Sequence, residues 1–255
     1  MREFILNDYE NITPTATIVE QHKEITLFTP HTPALEHYDE LINDNTTLMR
    51  WISSIPQQSS VYDIGAFYGL VSLWLAITKH CQVCTFEPEA QNNAVIDRNL
   101  QLNQLSNVTL YPLAISDRSR IDTLHLPLPY PHTLSYSIGE PTDYQGIDFN
   151  PQHQQGCYSI TLDRFTEQLN STKPAYLRIH SQGFSHKVIA GAEQLLKEQC
   201  LRSILIDLDM DHDAHDNVVE ALFSAGFKLE SGGNTLADYQ RMGRVGLQDY
   251  IFVTD

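Results

Sequence analysis

The sequence predicts an α/β fold: a mostly parallel sheet with helices on both faces and one antiparallel edge strand. Three observations predict it. From residue 59 onward short apolar runs alternate with runs at helical spacing, the order that a parallel sheet with crossover helices requires. The chain closes on two neighbouring strand-like runs, FKLES and QDYIFVTD, which fit one strand running against the others. The first strand of the alternation ends in an acid and a glycine turn, DIGAFYGL, at the strand end where open α/β sheets place ligands.

Residues 15–29, TATIVEQHKEITLFT, read as two short strands around a polar turn at 21–23. Residues 35–53 carry apolar residues at helical spacing. Together 1–58 read as an extension or cap ahead of a main domain over 59–255. In that domain SVYDIG is a strand and LVSLWLAITKH its helix; QVCTFE is the second strand and EAQNNAVIDRNLQLNQL its helix; VTLYPLAIS is a third strand. Residues 117–158 are Pro-rich and polar with no clear element, and read as a long insert loop of the functional or disordered kind. LDRFTEQL (helix), AYLRIH (strand), FSHKVIAGAEQLLKE (helix), RSILIDL (strand) and DNVVEALFSAG (helix) follow before the closing strands.

Composition narrows the function. The 255 residues are 42% hydrophobic and 19% charged, ordinary for a globular protein, and no apolar run approaches the roughly 18 residues of a membrane helix. The N-terminus lacks the apolar core of a signal peptide, so the expected location is cytoplasmic, with no membrane partner. A net charge of -16 with scattered Lys and Arg argues against nucleic acid. Four cysteines are too few to staple the chain, and the CQVC pair at Cys81 and Cys84 reads as buried thiols at a strand start rather than half a metal site.

Gly65 and Gly69 enclose the turn, Ala66 keeps it small, and the following helix is expected to aim free N–H groups at the space. Glu87 closes the next strand, where an acid accepts both hydroxyls of a ribose. The dinucleotide and P-loop glycine patterns are absent, and Asp63 stands where a pyrophosphate would meet a carboxylate. A cationic ligand with a ribose fits better, and S-adenosylmethionine (SAM) is one.

DIGAFYGL, TFEPEAQNNAVIDRNLQLNQLSNV, LAISD, ITLDRF, YLRIHSQGFSHKVIAGAEQLL and SILIDL together resemble the FkbM family of SAM-dependent methyltransferases, in order from about residue 25 to the end. The resemblance implies the class I methyltransferase Rossmann-like fold with a seven-stranded sheet, and O-methylation of a sugar or small-metabolite hydroxyl. It places the cofactor on Asp63, Gly65, Ala66, Gly69 and Glu87, with Ala114 near the adenine. Two departures stand out. The family pattern has Asn where this chain has Phe67, and acids at positions 180, 182 and 185, where this chain has His180, Gln182 and Ser185.

His180 therefore reads either as a general base replacing a carboxylate or as a remnant of a retired site. Phe67 either stacks on adenosine or fills space, and Tyr68 covers the cofactor. The acid- and His-rich run 207–216 reads as a solvated loop capping the next helix, with a hard divalent cation as the alternative and no metal expected in the site. Tyr130, His132, Tyr136 and Tyr144 in the insert are candidate acceptor contacts. Two functions remain open: an active methyltransferase with a small-molecule or carbohydrate acceptor, and a non-catalytic relative binding a nucleoside-type ligand or a partner protein.

Overall fold

A computed structural model describes residues 14–20, 22–43, 45–127, 136–169, 172–240, 242 and 246–254. An antiparallel hairpin of β1 (Thr15–Glu20) and β2 (Lys23–Phe28) leads into helices α1 (Thr32–Asn43) and α2 (Thr46–Ser54). β3 (Ser60–Ile64), α3 (Leu70–Thr78), β4 (Gln82–Phe86), α4 (Ala90–Leu102) and β5 (Val108–Tyr111) then alternate. Next come β6 (Ala114–Ile115), β7 (Arg120–Leu126), β8 (Ser137–Ile138) and β9 (His153–Ile160). The rest comprises α5 (Leu162–Leu169), β10 (Tyr176–Ile179), α6 (Ser185–Ala190), α7 (Glu193–Lys197), β11 (Ser203–Asp209), α8 (Asp213–Ser224), β12 (Lys228–Leu229), α9 (Leu236–Gln240) and β13 (Leu247–Val253).

The main sheet has seven strands in the order β12-β13-β11-β10-β3-β4-β5, the expected α/β architecture. The strand that runs against its neighbours is β13, and it lies one place in from the edge. It pairs with β11 from Leu247 to Val253, and only the two-residue β12 remains outside it. An edge strand that short offers little template for pairing with another chain.

Side chains alternate across each strand, so one sheet serves two cores. Tyr62, Ile64, Leu177, Ile179, Ile204 and Ile206 face a core completed by Phe165, Val188, Leu195 and Leu222 from α5 to α8. Val61, Val83, Tyr176, Leu205 and Ile251 face a second, completed by Leu48, Trp51, Leu73 and Val95 from α2, α3 and α4. The hairpin and α1 add Ile25, Leu27 and Tyr38 to this second core. Polar groups fasten them: buried Asn99 donates to the Tyr38 hydroxyl and the Tyr68 carbonyl and accepts from Phe28 N, and Trp51 Nε1 donates to Ser203 Oγ at 3.0 Å.

Several expected elements differ. The helical stretch 35–53 is two helices, because the Asn45 side chain accepts from Leu48 N and starts α2 afresh. The helix over 184–198 is likewise split into α6 and α7. Among the described residues of 117–158, β7 and β9 pair antiparallel along seven residues and join β6 and β8 in a second, four-stranded sheet, in place of the expected loop. Gln155 on β9 clips this sheet to the end of β4, accepting from Ala90 N at 2.9 Å and donating to Pro88 O at 2.7 Å.

Candidate active site

The turn after β3 is held by its neighbours. Gly65 has φ +72°, and a Cβ there would lie 2.1 Å from the His180 carbonyl oxygen, so only glycine lets the ends of β3 and β10 come this close. Four N–H groups of the turn itself are spent within the protein. Gly65 N and Ala66 N both donate to Phe86 O, Phe67 N donates to Glu87 Oε2 at 2.9 Å, and Gly69 N donates to Ala66 O.

Glu87, just past β4, is buried. Its carboxylate accepts from Phe67 N, from Glu89 N at 3.0 Å, from Asn92 Nδ2 at 3.4 Å and from the Tyr136 hydroxyl at 3.2 Å. Burial pushes its pKa up to about 7 against the opposing pull of these N–H donors. Beside it runs an apolar slot lined by Phe86, Leu113, Ala114, Ile115, Ile138 and Phe184. Tyr136 stands between this slot and a smaller space bounded by Phe67, Glu87, His180 and Gln182.

Asp63, expected to face a cationic ligand, turns the other way. It shares the sheet face of Val61, and its carboxylate accepts from Arg178 Nη1 at 2.7 Å and Ser72 Oγ at 2.6 Å, with both charges buried. Arg178 is its register partner on β10, so the pair locks two central strands to α3. Gly69, at φ +78°, begins α3 against Ile96. Tyr68 is buried with its hydroxyl 3.3 Å from His31 Nε2, packed beneath the N-terminal helices rather than over the slot.

Phe67 occupies the left-handed region at φ +55°. Its ring stacks on Tyr68 at 3.7 Å and meets the edge of His37 at 4.4 Å. Its edge reaches the small space, but most of the ring packs in the core. His37 is driven down to about 3 by burial and by the charges of His180 and Arg178.

His180 follows β10 and lines the small space. Gln182 Nε2 is 3.2 Å from His180 Nε2, and Asp249 Oδ1 is 3.9 Å from His180 Nδ1. The acid run beyond is not a solvated loop at its start, since Asp207 and Asp209 are buried in β11. Asp207 accepts from Ser181 N, Gly183 N and Ser185 Oγ and so shapes the loop after His180. His215 accepts from Asp209 N and contacts Gly183 O at 2.7 Å, while Tyr144 packs over Gly183 and donates to Asp209 Oδ2 at 2.9 Å. Asp213 and Asp216 stand in the first turn of α8, where acids complement the helix dipole, while the N-cap itself is His212 with no side-chain cap hydrogen bond.

No His, Cys, Asp and Glu grouping fit for a metal occurs among the described residues, and Cys81 and Cys84 are free thiols. Of the insert candidates, Tyr136 and Tyr144 reach the site, whereas Tyr130 and His132 lie outside the described residues. Sequence reasoning missed Asp249, Asn45 and His37. The one available signal was Asp249 itself, an acid inside the otherwise apolar run DYIFV.

The Methyltransferase FkbM domain matches residues 63–229, well over half of the chain. The chain belongs to the FkbM methyltransferase family. Its fold is similar to that of an FkbM methyltransferase from Methylobacillus flagellatus KT, at 13% identity and TM-score 0.50, over 87% of this chain and 50% of that one. This FkbM-family chain thus spans about half the length of that relative. More distant likenesses are a precorrin-6y C5,15-methyltransferase from Geobacter metallireducens GS-15 (13% identity, TM-score 0.43, 84% of this chain and 88% of that one) and M. jannaschii TYW2 in complex with AdoMet (11%, 0.40, 96% and 89%). No curated protein sequence matches it. Among the described residues, no helix is long and apolar enough to cross a membrane.

Proposed function

We propose that this FkbM-family protein transfers a methyl group from SAM to a hydroxyl of a sugar or small metabolite. The observation that carries the reading is Glu87: a buried carboxylate at the C-terminal end of a central strand, opening beside an apolar slot of a kind that suits a planar base. The residues would hold the cofactor with Glu87 on the ribose diol in place of the Tyr136 hydroxyl, Ala114 and Phe86 along the adenine, and Gly65 allowing close approach of backbone. Bound SAM supplies a methyl group on a sulfonium leaving group. The chain's part is to position the acceptor and remove its proton. His180 Nε2 takes that proton from the acceptor hydroxyl, and Tyr144 and Tyr136 bound the acceptor side. The net charge of -16 supports an acceptor other than nucleic acid.

The test uses methyl-labelled SAM and a panel of sugars and hydroxylated metabolites. His180→Ala is expected to lose at least about a hundredfold in kcat, the usual worth of a general base, with SAM affinity intact. Undiminished turnover in that variant would remove His180 as base. One observation favours a second reading. The Tyr136 hydroxyl already sits on Glu87, as it would in a non-catalytic relative whose cleft holds a different nucleoside-type ligand or a partner protein. Labelled transfer to any member of the panel would exclude that reading.

A further inference from the structure

We propose that Asp249 is a positioning residue for His180, holding the imidazole with Nδ1 protonated and the Nε2 lone pair on Gln182, whose place the acceptor hydroxyl takes; this rests on the reading of His180 as the base. The Gln182 amide nitrogen can only donate, so at 3.2 Å from His180 Nε2 it requires a lone pair there. The ring hydrogen then belongs on Nδ1, the atom that faces Asp249 Oδ1 at 3.9 Å. At that distance the contact is one of charge rather than a formed hydrogen bond, and it strengthens when the ring takes up an acceptor's proton.

Asp249 is itself aimed. Asn45 Nδ2 donates to its Oδ2 at 2.7 Å, its Oδ1 is the oxygen that faces His180, and Asn45 Oδ1 is spent on Leu48 N. A side chain only 13% exposed, in a strand whose next three residues are buried, is a costly place for an acid without a cationic or donor partner. Burial would raise the Asp249 carboxyl, but the His180 contact and charge, then Asn45 and the charge of Arg178, outweigh it and bring it down to about 2. It is therefore ionised at every pH at which a histidine base works. Asn45 and Asp249 both lie outside the stretch matched by the family domain, 63–229, on the N-cap of α2 and on β13.

The test reads the His180 tautomer by long-range proton–nitrogen NMR on the full chain without any acceptor, with the signal assigned from a His180→Gln spectrum. Charged or titratable groups around the ring are Asp249 on β13, Asp207 on β11, His37 on α1 and Arg178 on β10. In Asp249→Asn the Asn45 amide claims the new side chain's oxygen, so its NH2 faces Nδ1 and forces the hydrogen to Nε2. The expected result is a reversal of the tautomer ratio by about tenfold or more. Should that variant fail to fold, Asp249→Ser is expected to give mixed tautomers. A folded variant with the wild-type tautomer would overturn the proposal. Retained turnover in His180→Ala would instead sink the base reading and leave the NMR result to judge Asp249 alone.

Discussion

Phe67 carries two opposed energies at one residue. Its left-handed backbone, φ +55°, costs about 1–2 kcal/mol for a residue with a Cβ, and the Asn that the family resemblance places there tolerates it better. Its ring is buried between Tyr68 and His37, and deleting a buried Phe costs about 3–5 kcal/mol. Packing wins. Phe67→Asn is expected to lower stability by about 2 kcal/mol in urea unfolding; an unchanged or raised midpoint would mean that backbone strain dominates. Glu87 shows a second residue-scale effect. Its carboxyl rises from 4.5 to about 7 on folding, so the folded state binds the proton more tightly. That contribution, about 3 kcal/mol, is fully present below pH 4.5 and is lost as pH climbs through about 7.

At the scale of elements, the Asp63–Arg178 pair ties β3 to β10 and both to α3 through Ser72. Breaking a buried pair strands a charge and costs about 3–5 kcal/mol. Asp63→Asn is therefore expected to lower the urea midpoint strongly while the folded fraction binds SAM within about twofold of wild type. A stable variant with weakened SAM binding would return Asp63 to the cofactor. The sequence shows an acid ending an apolar strand but not which partner, 115 residues away, it meets. Strand parity held the clue, since Asp63 shares its face with Val61 and not with Tyr62. The second sheet was illegible for a different reason. β7 and β9 read RIDTLHL and HQQGCYSI, and Ile121 is 85% exposed, so neither shows clean alternation. What supports them is pairing with each other across a Pro-rich span, and local pattern carries no trace of that. The strands and helices around the main sheet were legible because each buries an apolar face at its own period.

At the scale of the molecule, the site is a junction. The turn after β3 and Glu87 come from the main sheet, Tyr136 and Tyr144 from the inserted sheet, His37 and Asn45 from the N-terminal helices, and Asp249 from the last strand. Glu87 and His180 were legible because they end apolar strands at the sheet's ligand edge; the others become neighbours only through the tertiary fold. Glu87 as the ribose anchor of a SAM site is tested by calorimetric titration of SAM at pH 8 and pH 6. Glu87 is mostly ionised at the higher pH and mostly protonated at the lower, so wild-type affinity is expected to weaken by several-fold, up to about tenfold, on acidification. Glu87→Gln should bind at least about tenfold more weakly at pH 8, with that pH dependence removed. No heat at millimolar SAM, or a Glu87→Gln variant that binds as wild type does at both pH values, would remove Glu87 as that anchor.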